Sequence, residues 1–216
     1  MYKLIIFDLD GTLLNTSLTI QSVINESLKK FSLPPLTVEQ TKKFVGNGAR
    51  KLVERAVEKE DKELIEKVYA DYSQRFANCS NELSFLYDGA AEALQNFRAG
   101  GILLAIVTNK PQGATDRVYG DFLANLGFSE VLCQTENTPL KPNPASTLKI
   151  MRDLGVKPEE CLFVGDGETD VQTAANAGVD CVSVLWGYRS KEQLKSAGAR
   201  VFAGSFKELE NLVLNG

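Results

Sequence analysis

The sequence predicts an α/β protein: a doubly wound parallel sheet with an α-helical subdomain inserted after the first strand. Two observations support the sheet. Short, continuous apolar runs recur along the chain without period-two alternation, as expected of strands buried on both faces, and helical stripes lie between them. A third observation supports the insertion. From about residue 16 to 86 no convincing strand pattern occurs, and four helical patterns follow one another.

The first run is Leu4-Ile-Ile-Phe7, followed at once by Asp8-Leu-Asp-Gly11. In the inserted segment Ile20, Val23, Ile24, Leu28 and Phe31 form one helical stripe, and Thr37-Val-Glu-Gln40 resembles a capping box opening a short second helix. Leu52, Val53, Ala56 and Val57 mark a third helix; Ile65, Val68, Tyr69, Tyr72 and Phe76 mark a fourth. The next strand is ILLAIV at 102–107. Val118, Tyr119, Phe122, Leu123 and Leu126 then form a stripe ended by Gly127, and Leu148, Met151 and Leu154 form another, opened by Asn143-Pro144 and closed by Gly155. CLFV at 161–164 and CVSVL at 181–185 complete the strands, and a Ser205-Phe-Lys-Glu208 box opens a last helix bearing Leu209, Leu212 and Val213.

Composition narrows the partners. The 216 residues are 44% hydrophobic with a net charge of −4, which offers no electrostatic attraction to nucleic acid or to an anionic membrane. A small ligand is the expected partner. The amino-terminal apolar run is too short for a secretory signal, and no run approaches the ~20 residues of a spanning helix. A cytoplasmic protein is therefore expected. Cys79, Cys133, Cys161 and Cys181 are widely spaced and read as reduced thiols. The chain has no histidine, so histidine bases, Ser-His triads and His-ligated zinc are excluded. Chemistry must run on carboxylates, lysines, hydroxyls and oxygen-ligated metals.

Three of the buried runs end in such groups: Asp8 and Asp10 after the first, Thr108 and Asn109 after the second, Asp166 with Asp170 after a later one. Lys141, in PLKPNPAS, precedes a helix. Each cluster alone has a plain structural reading, as a turn, a solvated strand end, an acidic helix start or a surface lysine. The carboxyl ends of parallel strands share one edge, where open α/β folds bind ligands, so the clusters are expected to converge. Asp8 and Asp10 lie on the same side of an extended chain and repel each other. A cation must compensate, and all-oxygen ligation with open water positions points to Mg²⁺ together with a phosphate substrate. Lys141 is a point charge for phosphate, and the Thr108 hydroxyl and nearby amides can donate to its oxygens.

DLDGTL near the start, TN after a second strand, KP before a helix and GDGETD after a later strand together resemble the haloacid dehalogenase superfamily of phosphohydrolases. The resemblance covers the whole chain. It implies a catalytic core of residues 1–15 and 87–216 and a small helical cap of residues 16–86. Within the superfamily, VGNGARKLVERA and the tail VLWGYRSKEQL look most like phosphoglycolate phosphatases.

The resemblance implies a role for each matching position. Asp8 attacks phosphorus, forming an aspartyl-phosphate, and binds Mg²⁺. Asp10 protonates the leaving alcohol and then activates water, with its backbone carbonyl on the metal. Thr108 and the Asn109 backbone hold the phosphoryl oxygens, Lys141 neutralises charge, and Asp166 ligates Mg²⁺ with Asp170 beside it as a ligand or outer partner. Retention of Asp10 argues for phosphoryl transfer over carbon–halogen cleavage. Asn15 and Gly167 depart from the common pattern, which has an acid and a serine there.

Gly46-Asn47-Gly48 precedes a helix whose free amides favour an anion, so this loop is expected to be either a tight turn or the substrate-carboxylate site. Arg50 either assists the loop or lies on a solvated face. A small phosphorylated metabolite, with 2-phosphoglycolate foremost, is the expected substrate. Pyrophosphate or sugar-phosphate hydrolysis, a β-phosphoglucomutase-like transfer and a phosphate-sensing module are the rivals, and the chain is expected to be a monomer or homodimer.

Overall fold

The computed structural model describes residues 1–58 and 61–214. All four residues of β1 (Leu4–Phe7) are fully buried. The chain turns at Gly11, forms the two-residue strand β2 (Leu14–Asn15), and enters four helices: α1 (Ser17–Lys30), α2 (Val38–Phe44), α3 (Ala49–Val57) and α4 (Lys62–Asn78). It returns along β3 (Phe85–Leu86), which pairs antiparallel with β2 and places Leu14 opposite Leu86. Strands and helices then alternate as α5 (Ala90–Ala99), β4 (Leu103–Pro111), α6 (Gln112–Val118), β5 (Glu130–Gln134), α7 (Ala145–Leu154) and β6 (Cys161–Gly165). The chain ends in α8 (Glu168–Ala177), β7 (Asp180–Val184), α9 (Lys191–Ser196), β8 (Val201–Ala203) and α10 (Phe206–Leu214).

Six strands form one parallel sheet in the order β5-β4-β1-β6-β7-β8. The chain winds outward from β1 through β4 to β5 and then crosses back to β6, so the strand order reverses beside β1. Register sets Phe7 beside Ile106 on one side and Val164 on the other.

Both faces of the sheet are covered. Ile5, Phe7, Ile106 and Val164 face Phe97 of α5 and Phe206 of α10, while Leu4, Ile6, Val107 and Phe163 pack with Ile150 and Met151 of α7 and Ala174 of α8. Double-sided burial explains why the strands read as unbroken apolar runs. The inserted helices build a core of their own from Ile24, Leu28, Leu52, Val53, Val68, Tyr72 and Phe76, joined by Ala114 of α6.

Several local expectations meet their geometry. Thr37 and Gln40 exchange both bonds of a capping box, at 3.2 and 2.8 Å. The Ser205 hydroxyl accepts from Glu208 N at 3.2 Å, but the Glu208 carboxylate accepts from Gly204 N rather than Ser205 N. The four cysteines are free thiols. Among the described residues no helix is long and apolar enough to cross a membrane.

Other features were not legible. The strands β5 and β8 are half-exposed sheet edges, and β2 and β3 are only two residues each, too short for a pattern to register. Leu148 does not belong to its predicted stripe: it is 43% exposed, and Ile150 takes the buried position, because the inward face of α7 runs through Thr147, Ile150 and Met151. The Val118–Leu126 stripe packs on the sheet as expected, although its middle, Tyr119–Leu123, is wound as a π-helix.

Phe97 is fully buried and its ring lies 6.5 Å from that of Phe7. Phe97→Ala is expected to lower stability by about 3–5 kcal/mol, read as a fall in the urea midpoint at unchanged m-value.

Candidate active site

Asp8 directly follows β1 and Asp166 directly follows β6, and because these strands are parallel neighbours the two carboxylates emerge side by side. Asp170 lies in the first turn of α8, and Lys141 in the loop between β5 and α7. Carboxylate oxygens of Asp8, Asp166 and Asp170 lie within 4.8 Å of one another. The Lys141 ammonium sits among them, 2.7 Å from Asp8 Oδ1 and 2.7 Å from Asp170 Oδ1.

Backbone and hydroxyl donors hold the remaining oxygens. Asp166 accepts from the Thr12 hydroxyl at 3.1 Å and from Tyr188 N at 2.7 Å. Asp170 Oδ2 accepts from Gly167 N at 2.9 Å. Gly11 has φ of 89° and Gly187 packs against the Asp166 side chain; a Cβ at either position would collide with that carboxyl group.

Electrostatics follow from this crowding. Burial pushes Asp8 up to about 8, with Asp170 adding to the effect and Lys141 opposing it. Asp166 is pushed up to about 7 by burial and by Asp170, against the donations from Tyr188 and Thr12. Burial pulls Lys141 down, but Asp170 and Asp8 outweigh it and keep the ammonium above its ordinary range. Three carboxylates thus face one ammonium, and when all three are ionised two negative charges are uncompensated within the cluster. The all-oxygen donor set and this surplus fit a hard divalent cation bound through one or two carboxylates, water and substrate oxygens. Asp8, Asp166 and Asp170 are all near enough to share it; Thr12 and Tyr188 already donate to the two oxygens of Asp166, and Lys141 and Gly167 to those of Asp170.

Asp10 stands apart from that cluster. Its Oδ1 accepts from the Thr16 hydroxyl at 2.7 Å and from Lys110 Nζ at 2.9 Å, and its Oδ2 from Lys110 Nζ at 3.2 Å. Thr16 in turn donates its N–H to the Tyr188 hydroxyl at 3.0 Å. Thr108 lies inside β4, which runs beyond its predicted end to Pro111 and carries Thr108, Asn109 and Lys110 to the edge. A small cavity of about 40 Å³ lies against Asp8, Asp10 and Thr108, roofed by Ile20, Leu52 and Phe76 of the inserted helices.

Asn109 works through its side chain. Its Oδ1 accepts from Lys141 N at 2.7 Å, and its Nδ2 donates to Lys141 O at 3.1 Å and to Gly46 O at 3.0 Å. Gly46 and Gly48 line the cavity, and Asn47 lines an adjoining recess beside Asp166. Asn47 Oδ1 is occupied by Arg55, 2.8 Å away.

Arg50 does not join the loop. Its guanidinium pairs with Glu66, lies 3.7 Å from Glu54, and covers the Tyr69 ring at 5.2 Å, so its charge is satisfied on the outer face of the helices. The two departures are accommodated locally. Asn15 Oδ1 accepts from Ser17 N and Oγ at 3.2 and 2.7 Å, anchoring the start of α1, and Gly167 supplies the N–H that Asp170 accepts.

Three residues went unread in the sequence. Lys110 was given no role, yet its side chain is 2% exposed and bound to Asp10. Arg189 and Tyr188 lie in the tail whose family likeness was noted without assigning them a role. From the loop after β7, Arg189 donates to Lys42 O at 2.7 Å and Val45 O at 2.6 Å at the end of α2, and to Glu168 Oε2 at 2.8 Å. The only signal in the sequence was the cluster of polar aromatic and basic residues directly after a buried strand.

Comparison with known proteins assigns the family and supports the fold. Residues 5–184 match the haloacid dehalogenase-like hydrolase family. The chain belongs to that family. Over 86% of its length it is 34% identical to phosphoglycolate phosphatase of Pseudomonas putida, of which it covers 70%. It is 31% identical to phosphoglycolate phosphatase of Aliivibrio fischeri, covering 96% of this chain and 94% of that one. Among solved structures, a chain from Lactobacillus delbrueckii subsp. bulgaricus superposes with a TM-score of 0.91 at 28% identity, covering 98% of each chain. The chain is a phosphoric monoester hydrolase of that family; the inserted helices α1–α4 are referred to as the cap and the six-stranded unit as the core.

The two raised acids set a pH dependence. Their folded values of about 8 and about 7 exceed the ~4 of an unfolded aspartate, so the folded chain binds extra protons. Their contribution to stability is present below about pH 4 and is lost as pH rises through about 7 to 8. A divalent cation binds the deprotonated carboxylates, so the rise in Tm produced by millimolar Mg²⁺ is expected to be larger at about pH 8 than at about pH 5. Arg189→Ala removes the charge-assisted bonds from the core to the carbonyls of Lys42, Lys43 and Val45 and is expected to raise KM about tenfold in a folded enzyme, measured by steady-state kinetics.

Proposed function

We propose that the protein is a Mg²⁺-dependent phosphatase of small acidic metabolites that works through an aspartyl-phosphate on Asp8, with 2-phosphoglycolate as its substrate. The observation that carries this reading is the placement of two unlike aspartates at one cavity. Asp8 lies in the carboxylate cluster with Lys141 at 2.7 Å, and Asp10 stands outside that cluster, held by Thr16 and Lys110. One is equipped as nucleophile and the other as acid and base.

In the first step a carboxylate oxygen of Asp8 attacks phosphorus, the phosphorus–oxygen ester bond breaks, and the leaving alkoxide takes a proton from Asp10. Lys141 offsets charge on Asp8 and the phosphoryl group, and the Thr108 hydroxyl donates to a phosphoryl oxygen. In the second step Asp10 takes a proton from water as that water attacks phosphorus, releasing inorganic phosphate and restoring the Asp8 carboxylate. Asp8, Asp166 and the Asp10 backbone carbonyl would hold Mg²⁺, which when bound neutralises phosphoryl charge and orients the group for in-line attack. Asn109 keeps Lys141 and the Gly46 loop in place around these groups.

Support for a small leaving group comes from the cavity. Ile20, Leu52, Tyr72 and Phe76 crowd it from the cap beside Asp10, which favours a short alcohol as leaving group. The names of the relatives point the same way. Gly48, with φ of 88° and Leu140 Cδ1 3.1 Å from where a Cβ would stand, places the amino terminus of α3 on this cavity. Any substitution there strains the backbone, so it is a poor probe of substrate binding.

A phosphoester panel with Mg²⁺ tests the reading. The kcat/KM for 2-phosphoglycolate is expected to exceed those for pyrophosphate and hexose phosphates, and Asp8→Asn is expected to reduce turnover by at least about 10⁴-fold. Formation of an isomerised sugar phosphate without release of inorganic phosphate would overturn it.

A further inference from the structure

The cavity beside Asp8 and Asp10 has two unlike walls. The cap contributes Ile20, Leu52, Tyr72 and Phe76, and the core contributes Thr108, Asn109 and Lys110. Lys110 brings the single formal positive charge among these lining residues. Its ammonium donates to both oxygens of Asp10, at 2.9 and 3.2 Å, and stands 4.4 Å from the centroid of the Phe76 ring.

We propose that Lys110 is the specificity-determining residue of this site and binds a carboxylate carried on the alcohol half of the substrate. The proposal rests on the reading of the site as a phosphatase of small acidic metabolites and names the group that recognises the acid.

Position is the first argument. Asp10 serves the leaving oxygen, and Lys110 touches Asp10 from the cavity side, so a group a few bonds beyond that oxygen meets the Lys110 ammonium. Donor count is the second. An ammonium has three N–H donors, and Asp10 engages at most two of them. Desolvation is the third. A carboxylate entering a cavity roofed by Ile20, Leu52 and Phe76 loses water and regains nothing from those side chains, so it must be paired.

The neighbouring cations are committed elsewhere. Lys141 is held between Asp8 and Asp170, Arg189 is bound to Glu168 and the end of α2, and Arg50 faces Glu66 outside the cavity. Among the described residues Lys110 alone combines burial, a position on this cavity and an ammonium flanked by an aromatic face. The Gly46–Gly48 loop then closes the cavity, and the charge selection lies in the core.

Paired substrates of equal size test the proposal: 2-phosphoglycolate against 2-hydroxyethyl phosphate, and phospholactate against its analogue with the carboxylate reduced to hydroxymethyl. The readout is the ratio of kcat/KM within each pair, in wild type, Lys110→Met and Lys110→Arg. Lys110→Met is expected to collapse the ratio by about 10- to 100-fold, the loss of one charge-assisted pair, and Lys110→Arg is expected to restore most of it. A ratio within about threefold of wild type overturns the proposal, because Lys110 then acts only through Asp10, and that affects both members of a pair equally. Circular dichroism checks the fold, and Lys110→Gln, which keeps a donor for Asp10, replaces Lys110→Met if the latter does not fold. A wild type without preference for 2-phosphoglycolate but with a Lys110-dependent ratio for phospholactate overturns the substrate and keeps the inference. A preference that survives loss of the charge overturns the inference alone, and a wild type that favours neither acidic ester overturns both.

Discussion

The rest of the site depends on one buried ammonium. Three carboxylates, those of Asp8, Asp166 and Asp170, crowd within 4.8 Å at the edge of a sheet whose faces are both apolar. Lys141 makes this arrangement tenable by pairing with two of them at once. Breaking such a buried pair costs roughly 3–5 kcal/mol, because the partner is left charged and unsolvated. The backbone of Lys141 is accordingly gripped by the Asn109 side chain, and Asn176 donates to Pro142 O at 2.9 Å on the following residue. Strand β4 and helix α8 thus hold the lysine loop from two sides.

Those braces also connect core to cap. The Asn109 amide that fixes Lys141 also donates to Gly46 O, and Arg189 reaches across from the loop after β7 to the carbonyls of Lys42 and Val45. Phe76 of α4 covers the Lys110 ammonium, and Tyr188 holds Thr16 at the base of α1. Seating the helical insertion on the core is therefore the same event as roofing the cavity. The insertion begins and ends at the paired strands β2 and β3, which ties its two ends together at Leu14 and Leu86.

Much of this was legible before any coordinates. The apolar runs located the four buried strands because burial on both faces removes alternation, and the absence of such runs between about 16 and 86 outlined the insertion. Asp8, Asp10, Thr108, Asn109, Lys141, Asp166 and Asp170 do gather at one edge, because parallel strands must end together. The exposed edges β5 and β8 were missed, since strands half in water carry no strong pattern, and Leu148 was taken for a core residue because periodicity alone does not say which of two adjacent stripes faces inward. Arg50 was weighed as a substrate ligand from its nearness in sequence to the glycines, yet its guanidinium turns away from the cavity that Ala49 and Leu52 of the same helix turn line, and Glu66 neutralises it.

Charge is where sequence and tertiary structure divided most clearly. The residue types at the strand ends determined that several carboxylates and a lysine would meet, and hence that negative charge would outnumber positive charge there unless a cation balanced it. Lys141 was placed beside the carboxylates from the sequence, and it stands between Asp8 and Asp170; the place of Lys110, which β4 carries against Asp10 beneath the cap, was decided only by folding. Arg189 became a link to the cap because the loop after β7 ends opposite the carbonyls of α2, some 145 residues away in the chain. Local sequence specifies strands, helices and the chemistry they bear. The pairing of distant charges requires the sheet order and the docking of the cap, because only those set the distances over which charges act.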